Sequence, residues 1–289
     1  MKANVRQGPA TIQTALSIIG AVDSDYLLPH LLCHLPAVDQ ESYKSRTQPL
    51  DCGQPKFYWI FKNMDFDRWH RTNGMEVLWL SGPAGCRISD ASSHIIDLAK
   101  ETYPEGPHSV LYFFCSTAPR GIPIAVTFVS TIVRQLIHCW PKLKDEITTT
   151  FLRTLLDGIF GEEPHSNLEV PCFSADDSAE VVVKKILKAS SDSYWSALRA
   201  VMDTGWQEGL SLIIDGLDKM GNQKREFIQD LLVFIEHLEE KPVTTRVLLT
   251  SRPQAEIREI LGRLPSIEYD SERKGLICLV FYSPDEQGS

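Results

Sequence analysis

Short, nearly continuous apolar runs alternate along this chain with longer stretches in which apolar residues recur every three or four positions. Met75 to Ser81, Ser109 to Cys115, Leu210 to Asp215, Arg246 to Ser251 and the short Ser266 to Tyr269 have the length and apolar density of strands buried on both faces. Between them lie helical periods. Ser89 to Glu101 places Ile95, Ile96, Leu98 and Ala99 on one side, and Gln223 to Glu239 carries Phe227, Leu231, Leu232, Phe234, Ile235 and Leu238. Further helices are predicted from Pro123, near a first helical position, to about Trp140, then over Asp145 to Leu156, Ser178 to Ala189, Tyr194 to Met202 and Gln254 to Leu264. Strand and helix in alternation imply a parallel sheet covered on both faces.

The remaining segments are less regular. Residues 10–36 read as one or two short amphipathic helices broken near Asp23 and Asp25. Asp39 to Gly53 is polar and reads as an irregular linker. Phe57 to Phe61 and Phe66 to Trp69 put a cluster of aromatics just ahead of the first strand, as helices packed on a sheet edge would. Gly158 to Asp177, with two prolines and an acidic excess, reads as a surface insertion. This divides the chain into a helical N-terminal segment and linker (1–50), an α/β domain (51–275) and a polar, disordered tail (276–289).

Bulk composition narrows the function classes. At 289 residues with 43% hydrophobic and 23% charged residues, the chain can bury a substantial core. A net charge of −9 argues against a broad nucleic-acid surface, where affinity comes from Lys and Arg on phosphates. Seven scattered cysteines without a C-x-x-C read as reduced thiols of a cytoplasmic protein. Lys2 and Arg6 ahead of Ala15 to Val22 mimic an export signal only superficially, because the apolar stretch is short and Asp23 and Asp25 follow it. No run approaches the roughly 18 apolar residues of a membrane span. His30, Cys33 and His34 could share a helical face, but no partner cluster completes a zinc site.

The stretch that carries chemistry is the one after Met75 to Ser81. Gly82, Pro83, Ala84, Gly85, Cys86, Arg87, Ile88 and Ser89 form a tight turn leading into a helix. The pattern G-x-x-x-x-G-K-[ST] uses glycines so that backbone N–H groups can curl round a phosphate, a lysine to reach the outer phosphates and a hydroxyl to hold Mg²⁺. Gly82 and Ser89 match it; Arg87 stands at the second glycine and Ile88 at the lysine. Ile88 removes a charge-assisted bond worth about 1.5–3 kcal/mol, and Arg87 brings a Cβ where backbone must approach closely. Two strand tips complete the set. Leu210 to Asp215 delivers a carboxylate to its C-terminal end with Asp218 three residues on, and Arg246 to Ser251 is followed by Arg252. In open α/β sheets ligands bind outside the carboxyl ends of strands.

Through Phe57 to Asn63, Leu78 to Cys86, Tyr112 to Cys115, Ile213 to Asp218 and Leu249 to Pro253 the chain resembles the NACHT-type nucleotide-binding domains of fungal STAND NTPases, over roughly residues 35–275. The resemblance implies a three-layer α/β P-loop fold with a five-stranded parallel sheet in the order 5-1-4-3-2. It implies ATP or ADP with Mg²⁺ as ligands, the loop from Gly82 to Ser89 round the phosphates, and Ser89 and Asp215 on the metal. Asp218 would polarise a water, Arg252 would sense the terminal phosphate, and the aromatics of 57–69 would help form an adenine pocket. Lys219 stands where many relatives carry an acid. The reading is thus a degenerate nucleotide-binding switch with weak or absent hydrolysis and with protein partners the sequence does not name. Two alternatives stay open: a pseudo-NTPase scaffold without nucleotide, and a slow ATPase in which Arg87 replaces the lysine.

Overall fold

The computed structural model describes residues 36–47, 58–102, 108–161, 189–204 and 209–269. Five strands are present among them: β1 (Met75–Ser81), β2 (His108–Phe114), β3 (Gly209–Asp215), β4 (Thr245–Ser251) and β5 (Ser266–Glu268). The helices are α1 (Gln40–Thr47), α2 (Tyr58–Phe61), α3 (Met64–Arg71), α4 (Ile88–Thr102), α5 (Ile124–Cys139), α6 (Lys144–Gly161), α7 (Ser191–Met202), α8 (Lys224–Glu239) and α9 (Ala255–Leu261). All strand pairs are parallel, in the order β2-β3-β4-β1-β5. That is the expected 5-1-4-3-2 order read from the other edge, and with its flanking helices it is the three-layer α/β P-loop architecture.

The register lines up the strand tips. Ser81 pairs level with Ser251, and Phe114 with Asp215. β4 is buried at all of its positions, the signature of a central strand covered on both faces. One apolar cluster contains Leu78, Leu80, Ile213 and Leu248 from the sheet, Ala91, Ile95 and Ile96 from α4, and Ile60, Phe66 and Trp69 from the segment before β1. Asn63 caps α3 by accepting the Asp65 N–H at 2.8 Å. The indole N–H of Trp69 donates to the Val247 carbonyl at 3.0 Å, fixing the aromatic segment against β4. Packing on the sheet is therefore what Phe66 and Trp69 do.

The polar stretch expected to be an irregular linker contains α1. Its sequence has no apolar stripe, and beyond Tyr43, which packs against Phe114, its anchorage is polar. Lys44 pairs with Asp97 at 2.5 Å, Lys100 with Glu41 at 3.2 Å, the Tyr112 hydroxyl donates to Glu41, and Gln40 accepts the Phe114 N–H at 2.7 Å. Burial alone would raise the Glu41 carboxyl, but the Tyr112 hydroxyl and the two lysines outweigh it and bring it down to about 2. The compact unit that holds the sheet accordingly begins at Gln40; it comprises residues 40–116, 209–228 and 242–289.

A second compact unit, residues 1–39, 117–208 and 229–241, is helical in its described part. α5, α6, α7 and the later turns of α8 surround an aromatic core in which Phe128 and Trp195 lie 5.3 Å apart and Trp195 and Phe234 5.8 Å apart. Ser190 caps α7 by accepting the Ser193 N–H at 3.2 Å. Helix α6 runs to Gly161, past the expected start of the insertion. The helix expected over 178–189, nearly all of the 10–36 segment, the His30, Cys33 and His34 face and the tail lie outside the described residues. No helix among the described residues is long and apolar enough to cross a membrane.

His108 at the start of β2 gives the sheet a pH dependence. Its Nε2 lies 2.8 Å from Ser211 Oγ, and a Cβ on Gly209 would come within 2.2 Å of its Nδ1. Burial first, and then the positive charge of Arg246, press the imidazole down to about 4 from an ordinary 6.5. Between those values the unfolded chain binds a proton that the folded chain refuses, so stability is full above about pH 6.5 and declines as pH falls toward 4. Urea unfolding midpoints at pH 7.5 and 4.5, taken at low protein concentration because the pI near 5.4 falls inside the window, should show this decline. His108→Gln should flatten it; an unchanged slope in that variant would refute the assignment.

Candidate functional site

The site lies at the carboxyl ends of β1, β3 and β4. β1 ends at Ser81, and the turn from Gly82 to Arg87 feeds α4. A side chain at Gly82 has no room: a Cβ would lie 2.8 Å from Cys86 Sγ and 2.8 Å from Tyr269 Cβ. Gly85 takes φ +83° and Arg87 takes φ +62°. Arg87 is the one non-glycine residue among those described that adopts a left-handed backbone. The turn thus keeps at Arg87 the conformation for which a glycine is the natural residue, against a steric cost of roughly 1–2 kcal/mol. The Arg87 guanidinium is ion-paired with Asp90 in the first turn of α4.

Ile88 opens α4, and its side chain packs against the apolar cluster, with Cδ1 3.0 Å from the position a Gly82 Cβ would take. One residue on, Ser89 Oγ donates to Asp215 Oδ2 at 2.7 Å. Asp215, 1% exposed at the tip of β3, also accepts Ser92 Oγ at 2.8 Å and Thr250 Oγ1 at 2.7 Å. Three hydroxyls satisfy this buried carboxylate, which would otherwise be strongly penalised. Burial, and then the Asp215 charge, push the nearby Cys115 thiol well above its ordinary range and keep it protonated.

The sequence-derived residues fall into two groups. Ser89 and Asp215 meet directly. Asp218 and Arg252 meet each other: Asp218 Oδ1 accepts the Arg252 backbone N–H at 3.0 Å, and Oδ2 lies 3.4 Å from Arg252 Nε. Ser92 and Thr250 were not singled out from sequence. Ser92 lies three residues after Ser89 on the same helical face, and Thr250 flanks Asp215 across the β3–β4 pairing, so periodicity and register together point to both. Lys219 also enters the site, with Nζ 3.4 Å from Ser89 Oγ and 4.0 Å from Asp215 Oδ2.

Ser89 and Asp215 have the hydroxyl and carboxylate chemistry that Mg²⁺ takes. An ammonium already stands beside both of them, and a second cation there would meet like-charge repulsion. The donor set does not fit a divalent ion; the loop and lysine together fit an anion.

A parallel sheet in this order, with a glycine-turned loop leaving β1 and an acid at the tip of β3 one strand beyond β4, defines a P-loop NTPase fold. Residues 56–156 match the family described as Nephrocystin 3, N-terminal. The chain is also 27% identical over 114 residues to the vegetative incompatibility protein HET-E-1 of Podospora anserina, a stretch that is 39% of this chain and 8% of that protein. With the motifs above, these matches support a NACHT-type domain of the fungal STAND, NLR-like kind.

The strain at Arg87 is testable by substitution. Arg87→Gly should leave stability within about 1 kcal/mol, since relief of the left-handed Cβ offsets the lost Asp90 pair and the greater chain entropy. Arg87→Val should destabilise by about 1–3 kcal/mol, because a β-branched residue resists that backbone. Equal effects of both in urea unfolding would contradict the strained turn.

Proposed function

We propose that this chain is a nucleotide-binding NACHT-type domain that takes ADP or ATP with little or no hydrolysis and serves as a signalling switch acting on protein partners. The observation that carries the reading is the backbone at Arg87. The turn keeps there the left-handed backbone of a phosphate-cradling loop, and keeps it without the glycine that would make it easy. In the first turn of α4 the Asp90 and Ala91 N–H groups bond the Arg87 carbonyl, which leaves those of Ile88 and Ser89, ahead of the helical ladder, to meet phosphate oxygens.

The same geometry favours binding over turnover. Asp218 accepts the Arg252 backbone N–H and lies against its Nε, an engagement that disfavours the acid as the group polarising an attacking water. Arg87 is engaged by Asp90, which speaks against it as the substitute for the loop lysine. The link to an incompatibility protein supports a switch role. A second reading, a scaffold without nucleotide, is favoured by the apolar Ile88 side chain beside Gly82.

Thermal and urea unfolding with ADP separates the two. A ligand bound only by the folded chain stabilises by about 2.7 kcal/mol at about a hundredfold excess over Kd. The nucleotide reading expects a clear stabilisation by millimolar ADP that grows in Arg87→Gly/Ile88→Lys. No shift in wild type, with a shift in that double variant, would establish the scaffold reading instead.

A further inference from the structure

We propose that Lys219 supplies the phosphate-binding charge missing from the loop, and does so from the corner between Ser89 and Asp215, so that this site holds a polyphosphate without a divalent ion. The inference rests on the nucleotide-binding reading above and specifies how that site would bind.

The position of the ammonium carries the argument. Lys219 Nζ is within hydrogen-bond reach of Ser89 Oγ at 3.4 Å and lies 4.0 Å from Asp215 Oδ2, while Ser89 Oγ itself donates to that same oxygen. The ammonium therefore caps the hydroxyl–carboxylate pair, the two groups a metal-using loop would offer an ion. Its approach is built into the backbone. The stem crosses Gly216, where a Cβ would meet Lys219 Cδ at 3.1 Å, Cε at 3.3 Å and Nζ at 3.4 Å, and Gly216 has φ +80°. A side chain at that position would crowd the lysine, and a bare glycine lets it pass.

The surrounding charges leave Lys219 available. Asp218, its sequence neighbour, is taken up by Arg252, and Arg87 by Asp90. Asp215 is already satisfied by three hydroxyls, so it orients the ammonium through its field without needing its protons. An ammonium has three donors, and with one directed at Ser89 it can present the others to phosphate oxygens. The Lys219 side chain is one-third exposed, so it is not sealed off from an entering ligand.

The experiment is calorimetric titration of the full chain with inorganic pyrophosphate and with ADP, in millimolar Mg²⁺ and in EDTA. Wild type should bind each probe with affinities within about threefold in the two buffers, because the tethered ammonium replaces the ion. Lys219→Met and Lys219→Gln should each weaken binding in EDTA by about tenfold or more, as loss of a charge-assisted bond does, with unfolding midpoints held near wild type. Ile88→Lys/Lys219→Glu should restore tight ADP binding only when Mg²⁺ is present. Wild-type binding that collapses in EDTA, or Lys219 variants that bind like wild type, would overturn the inference and leave the nucleotide-binding reading standing. Failure of wild type to bind either probe in either buffer would overturn both.

Discussion

A single buried carboxylate holds the working end of this sheet together. Asp215 is the last residue of β3, almost wholly excluded from water, and it gathers Ser89 and Ser92 from α4 and Thr250 from β4. A carboxyl group at that depth is tolerated because three hydroxyls donate to it. In return it fixes the distance between the tip of its own strand, the neighbouring strand and the first turn of the helix that leaves the glycine turn. The backbone repeats the connection, since the Gly216 N–H donates to both the carbonyl and the hydroxyl of Thr250, each at 3.1 Å. The turn from Gly82 to Ser89 is thus shaped partly from its far side, through a residue more than a hundred positions away in sequence.

That outside support accounts for a turn that survives changes in its own sequence. Within the loop the glycine at Gly82 is required by crowding and Gly85 by its positive φ, whereas Arg87 is held in a conformation it does not prefer. Asp90 steadies its side chain. Ile88 turns to the apolar cluster and adds packing where a lysine would have added charge. The frame of a phosphate-binding loop is retained, with Ser89 and Asp215 in it, while Arg87 and Ile88 replace the motif's second glycine and its lysine.

The fold was legible because the strands carry nearly unbroken apolar runs and the helices between them a clear period of three to four; a parallel sheet with buried faces requires just that contrast. The first four strands come within a residue or so of their expected spans. Helix α1 escaped because it has no apolar stripe and exists through ion pairs to Asp97 and Lys100, which lie some fifty positions away and leave no local mark. The site was half legible for the same reason. Gly82, Ser89 and Asp215 announce themselves by position in a motif or at a strand tip. The pairing of Asp218 with Arg252, and the reach of Lys219 across Gly216, depend on side-chain direction in space, which spacing does not encode.

The anchorage of α1 reaches beyond the residues it touches. Glu41 and Lys44 grip α4 at Lys100 and Asp97, and Gln40 satisfies a backbone N–H at the end of β2. Helix α4 is the same rod whose opposite end begins at the glycine turn. A chain cut at residue 50, where composition alone would place a border, would leave Asp97 without Lys44, Tyr112 without Glu41 and the Phe114 N–H without its acceptor. Helix α1 is part of the wall of the sheet unit, and a graft of this domain onto another protein would have to carry it along.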